Sequence, residues 1–143
     1  MNKKSANFSK QIIITTGDED GIGLEISLKA LLKIKADPRT VYYLYKTKKT
    51  PSFLKKNFSQ VIKKFNSKNL IVVAPSSSPS TWVKEAGLRC LNEKNTALVT
   101  APISKTLTYG AGAKHIGHTE ILKDLTGIDD LFMAFLGKKF NVV

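Results

Sequence analysis

Four short apolar runs, each separated from the next by a segment of helical period, limit what this chain can fold into more than any other feature. Gln11 to Thr15 (QIIIT) is β-branched and ends at a glycine turn, which reads as a buried strand. From Ile22 to about Lys35, Leu24, Leu28 and Leu31 recur at helical spacing, and Asp37-Pro38 closes that helix. Val41 to Lys46 (VYYLYK) is the second strand. After Pro51, Leu54, Phe58, Val61 and Phe65 mark one face of a helix whose other face carries lysines. Leu70 to Ala74 (LIVVA) is the third strand, and the Pro75 to Ser80 loop leads into a helix with Trp82, Val83, Ala86 and Cys90 on one side. Ala97 to Thr100 (ALVT) is the fourth strand.

This rhythm predicts an α/β fold with a parallel or mostly parallel sheet and helices on both faces. Ligands of such sheets bind beyond the carboxyl ends of the strands, here the loops after Thr15, Ala74 and Thr100. Leu131 to Leu136 is expected to form a further strand, and Phe140 to Val143 the start of another, so the domain is expected to be incomplete. No repeat or long linker divides the 143 residues, which form a single α/β region over 1–143.

The chain holds 23 Lys+Arg against 11 Asp+Glu, a formal net charge of +12. The excess lies in residues 1–70, with 15 basic and 5 acidic residues, and no acid stands between Asp37 and Glu85. Such a stretch can meet phosphates, and steep salt dependence of duplex binding would mark a nucleic-acid-binding module. Its excess is mostly lysine, in pairs at 48/49, 55/56 and 63/64 interleaved with apolar residues. That pattern favours a solvated amphipathic surface through Lys46 to Lys68 over a nucleic-acid partner. A single cysteine, Cys90, forms no internal disulfide. No apolar run approaches the ~20 residues of a membrane span, and Met1 to Lys10 lacks a secretory apolar stretch, so a soluble, cytoplasmic protein is expected.

Three segments carry chemistry. Thr16 to Gly23 (TGDEDGIG) joins a strand to a helix, where backbone N–H groups can approach an anion. It is neither a dinucleotide fingerprint nor a P-loop, since Ile26 stands where a third glycine belongs and no Gly-Lys-Ser/Thr follows. Its three acids repel phosphate, so a tight strand-to-helix turn is the favoured reading. Thr100 to Lys105 (TAPISK) brings Lys105 near the ligand-binding edge, where it can neutralise a carboxylate or phosphate. On composition alone, a surface lysine at a helix start is the stronger reading there. Gly117-His118-Thr119-Glu120 opens a helix ended by Gly127, with Thr119 placed as its N-cap and His118 at its N-terminus. A hydroxyl, free backbone donors and an imidazole together suit an anionic group, and a capping box with a solvated histidine is an equal alternative. His115 and His118 do not make a local metal pair, because Gly117 between them breaks helical geometry.

In this order, ITTGDEDGIGLEI, ALVTAPISK and AGAKHIGHTEIL make the chain resemble the 4-hydroxythreonine-4-phosphate dehydrogenase (PdxA-like) family of vitamin B6 biosynthesis, from about Gln11 onward. The first loop is also similar to that of isocitrate and isopropylmalate dehydrogenases, which implies their architecture. The resemblance implies oxidation of 4-phosphohydroxy-L-threonine by NAD or NADP, then decarboxylation to 3-amino-2-oxopropyl phosphate for pyridoxal phosphate. A divalent metal would lower the cost of the alkoxide and of the enolate.

Carried over residue by residue, the resemblance makes His118 and Thr119 substrate ligands and Lys105 a charge partner in the cleft. It identifies no cofactor-binding residue. The departures are Glu19 and Leu24, where the family commonly has proline, and length. The family's three metal-binding histidines come later than residue 143, so no metal ligand is expected within this chain and the metal is expected to be held beyond it. These residues are expected to be the N-terminal portion of a longer, two-domain, homodimeric dehydrogenase, inactive alone. The alternatives are a non-catalytic remnant that binds an anionic ligand or a full-length subunit, and the basic nucleic-acid-binding module.

Overall fold

The computed structural model describes residues 9–104, 117–137, 139 and 141–142. Its elements follow in the order β1 (Lys10–Thr15), α1 (Gly23–Lys33), β2 (Thr40–Tyr45), a 3-10 turn (Ser52–Leu54), α2 (Lys55–Asn69), β3 (Leu70–Val73), α3 (Pro79–Asn92), β4 (Thr96–Thr100), α4 (His118–Thr126), β5 (Phe135–Leu136) and β6 (Asn141–Val142). Strands β3-β2-β1-β4 form one sheet in that order, and every neighbour pair is parallel. The α/β expectation therefore holds.

Strand alternation divides the core. Ile14, Tyr42, Leu44 and Leu70 face α1 and α2, where they pack with Leu24, Leu28, Leu31, Val61 and Phe65. Ile13 and Tyr45 point the other way and pack with Trp82 and Ala86 of α3. Neighbouring residues of one strand thus serve opposite layers, as period two requires. Tyr42 meets Phe65 edge to face, with ring centroids 5.0 Å apart.

The winding reverses between β1 and β4. The chain leaves β1 through α1 toward β2 and β3, then crosses by α3 to the far side of β1. Helices α1 and α2 pack together, while α3 packs on β1, β4 and α4. The carboxyl ends of β1 and β4 consequently flank the switch point at which open α/β sheets hold ligands.

Three local expectations are corrected. The run from Leu131 to Leu136 contributes only Phe135–Leu136 to a strand, and this pairs antiparallel with Asn141–Val142 as a separate ribbon. Only the stretch that has a partner gains ladder hydrogen bonds. Two lysines of the supposedly solvated surface are engaged. Lys64 Nζ donates to the carbonyls of Leu31 (3.0 Å), Leu32 (2.6 Å) and Ile34 (2.5 Å), closing the end of α1. Lys46 is 3% exposed, and its ammonium donates to the carbonyls of Thr47 and Lys48, pinning the chain just after β2. Burial lowers the Lys46 pKa, and the Glu19 charge opposes that shift. Among the described residues, no helix is long and apolar enough to cross a membrane.

Candidate functional site

The sheet's own hydrogen bonding brings the first two motifs together. Ala101 N donates to Thr15 O at 2.8 Å, carrying the β1–β4 ladder into the loops that follow. Gly17 has φ +69, and a Cβ there would lie 2.0 Å from Pro102 O. At Gly23 a Cβ would lie 1.8 Å from Thr16 O and 2.8 Å from the Ala101 Cβ. Such distances admit no side chain, so these two glycines are required by close packing of backbone on backbone. Asp18 Oδ2 then accepts from Ser104 N at 2.5 Å. The glycine loop is therefore a tight turn that clamps the TAPIS segment in place, in agreement with the favoured reading.

The third motif opens α4 differently from the expectation. Gly117, in extended conformation (φ -143, ψ 173), holds the N-cap position, and no side chain caps the helix. His118 is the first helical residue and Thr119 the second, so Thr119 is not the N-cap. A side-chain cap requires the capping residue itself to be extended, and here the glycine takes that conformation. Among the described residues, the first-turn N–H groups and the positive end of the helix dipole thereby receive no oxygen from a side-chain cap.

His118 is half-buried, and its Nε2 is buried with no hydrogen-bond partner among the described residues. Desolvation lowers its pKa, opposed by a backbone hydrogen bond with Ala101 and by the Glu120 charge. The imidazole is thus held toward its neutral form at a helix end that attracts negative charge. Thr15, fully buried at the end of β1, also has an Oγ1 without a partner. His118 and Thr15 both adjoin Ala101, where the three motifs meet.

Lys105, the third predicted site residue, lies outside the described residues, as does His115. Sequence reasoning missed Thr15, which looks like ordinary strand, and the pairing of Asp18 with Ser104, which are 86 residues apart. It also passed over the serines before α3 and Trp82, which was read only as core. Among the described residues no group of three or more His, Cys, Asp or Glu is placed to hold a metal ion. Chemically, the α4 start offers backbone donors, a hydroxyl and an imidazole to an anion at the switch point.

The protein-family model described as "Pyridoxal phosphate biosynthetic protein PdxA" matches residues 47–143. The 4-hydroxythreonine-4-phosphate dehydrogenase of Sulfurihydrogenibium sp. (strain YO3AOP1) is 32% identical over 155 residues, covering 92% of this chain and 48% of that protein. The enzyme of the same name from Synechocystis sp. is 30% identical over 152 residues, covering 90% of this chain and 42% of that protein. The crystal structure of a 4-hydroxythreonine-4-phosphate dehydrogenase from Burkholderia phymatum superposes with a TM-score of 0.64 at 20% identity, over 94% of this chain and 49% of that one. It has the same fold. The chain spans about half the length of the curated relatives it matches.

Proposed function

The chain belongs to the PdxA family of pyridoxal phosphate biosynthetic proteins, and from that premise we propose that it forms the substrate-holding portion of a 4-hydroxythreonine-4-phosphate dehydrogenase. The substrate is 4-phosphohydroxy-L-threonine, its secondary alcohol is oxidised with NAD or NADP as hydride acceptor, and decarboxylation gives 3-amino-2-oxopropyl phosphate. His118 and Thr119 bind an anionic group of this substrate, and Lys105 is a charge partner beside it. The observation that carries this reading is the His118 Nε2, buried and, among the described residues, without a partner at a helix start that no side chain caps. A buried polar atom of this kind lacks a hydrogen bond that a ligand oxygen would supply. Asp18, Gly17 and Gly23 act on the site indirectly, by fixing the TAPIS segment against β1.

The described residues do not fit a metal, so the metal-dependent steps are assigned to none of them. In this proposal residues 1–143 are one α/β region of a two-domain subunit, the metal ligands lie outside it, and this chain alone is inactive. A cytoplasmic homodimer fits the family and the single cysteine.

The test is titration of the chain with 4-phosphohydroxy-L-threonine, followed by the resonances of the His118 ring and of the His118 and Thr119 amides. The expected result is saturable movement of these signals, lost in His118→Ala. Movement confined to other residues, or binding that is equal in His118→Ala, would overturn the assignment.

A further inference from the structure

A second crevice, of about 560 Å³, runs across the carboxyl ends of β3, β2 and β1, on the side of β1 away from β4. Its size is that of a small-molecule site. The strand order arranges its lining chemically. At the β3 end stand Ser77, Ser78 and Trp82, after β2 come Lys48 and Lys49, and after β1 come Asp18, Glu19 and Asp20.

At the β3 end two donors are unmatched. Trp82 is 1% exposed, and its Nε1 is buried with no partner among the described residues. The Ser77 Oγ, on the same lining, is likewise buried and has no partner among the described residues. Neighbouring hydroxyls are, by contrast, occupied. Ser78 Oγ caps α3 by accepting from Thr81 N at 3.4 Å, and it bonds the hydroxyls of Ser80 and Thr81 at 2.9 Å each. An indole N–H can only donate, so it lacks an acceptor. Native interiors rarely leave such a group unmatched. The positive end of α3 adds positive potential there, and the exposed Lys48 and Lys49, in the loop after β2, add it between that end and the acids. The three acids at the other end offer acceptors to hydroxyl groups, the partners that carboxylates take on sugars.

We propose that this crevice is a second ligand site, distinct from the His118 site, that takes a phosphate monoester on a ribose-like body, with the phosphate against Ser77, Trp82 and the two lysines and the hydroxyls toward Asp18, Glu19 and Asp20. A free sugar phosphate carries that group, and so does NADP through its ribose 2′-phosphate, whereas NAD, whose phosphates bridge two nucleosides, does not. The inference does not rest on the role given to His118.

Trp82 is the chain's one tryptophan, so its indole N–H gives a single NMR signal that reports on the crevice. The ¹⁵N-labelled 143-residue chain is titrated with ribose 5-phosphate, inorganic phosphate, ribose, NAD and NADP. Ribose 5-phosphate is expected to shift the indole signal saturably and to bind about tenfold more tightly than phosphate or ribose alone. Ser77→Ala is expected to weaken it about tenfold, as loss of one hydrogen bond to a charged group does. The exposed pair Lys48→Ala/Lys49→Ala is expected to weaken it as much and to make the remaining affinity less salt-sensitive. His118→Ala is expected to change nothing here. NADP that binds more tightly than ribose 5-phosphate identifies a phosphorylated dinucleotide as occupant, the reverse order identifies a sugar phosphate, and NAD that binds as tightly as NADP would overturn the monoester assignment. An unmoved indole signal, equal affinity for phosphate and ribose 5-phosphate, or binding untouched by both sets of variants would overturn the proposal.

Discussion

The glycine loop at Thr16 to Gly23 and the helix start at Gly117 to Glu120 both join glycine to a helix start, and they use it differently. The first reads as a tight turn, and Gly17 and Gly23 are used by close contacts to Pro102, Thr16 and Ala101. The second could be read equally as a capping box or as an anion site, and among the described residues no side chain caps α4 and the His118 Nε2 has no partner. A glycine can be present because a backbone must approach, and what it approaches decides its meaning. Here it approaches the chain itself in the first loop. In the second, Gly117 takes the cap position, and among the described residues no side chain bonds the helix end.

Substitutions on the two sides of this comparison are expected to fail in different ways. Gly23→Ala should have the largest effect. Its Cβ would sit 1.8 Å from Thr16 O, a backbone atom that cannot move without distorting the end of β1. We expect a loss of about 3 kcal/mol or more in urea unfolding, in the range of severe overpacking. A loss below about 1 kcal/mol would break the assignment of this loop as a packing element. His118→Ala should instead keep stability within about 1 kcal/mol while weakening 4-phosphohydroxy-L-threonine binding by about 50-fold, the scale of one or two charge-assisted hydrogen bonds. Asp18→Ala lies between the two. It removes the acceptor for Ser104 N and should cost about 1–2 kcal/mol of stability, with a smaller loss of substrate affinity through the displaced TAPIS segment. Equal affinity in this variant would show that the clamp does not reach the site.

The legible parts are those written in local periodicity. Ile12, Ile13 and Ile14 announce a strand buried on both faces, and Leu24, Leu28 and Leu31 announce the helix that covers one of them. The three motifs were legible as a set because each follows or opens an element at the carboxyl edge of the sheet. The parts that were not legible depend on contacts between distant segments. Lys64 sits in a run of lysines and differs from its neighbours only because the end of α1 packs beside it. Lys46 ends a strand pattern and is buried by the loop it pins. Trp82 was read as core, correctly for its ring, while the isolation of its N–H depends on the geometry of three loops. The placing of Gly117 rather than Thr119 at the cap turns on one residue's dihedral angles, which composition does not fix.

The smallest expected effect concerns protons, and it distinguishes the two regions most directly. Burial lowers the pKa of His118 below its ordinary 6.5. Between the folded pKa and 6.5 the unfolded chain therefore binds more protons than the native one at this position. Stability contributed by the neutral ring is present above 6.5 and is lost as pH falls through the folded pKa. Without ligand, wild type should lose stability relative to His118→Gln over that window in paired urea titrations. A bound anion reverses the preference, because negative charge at Nε2 favours the protonated ring. Saturating phosphorylated substrate should therefore shrink or invert the difference between the two proteins, while Gly23→Ala, whatever its stability, should keep the same pH dependence as wild type. A difference that ligand leaves unchanged would mean that the His118 ring is not in contact with the anion, and that the helix start at Gly117 is as self-contained as the glycine loop.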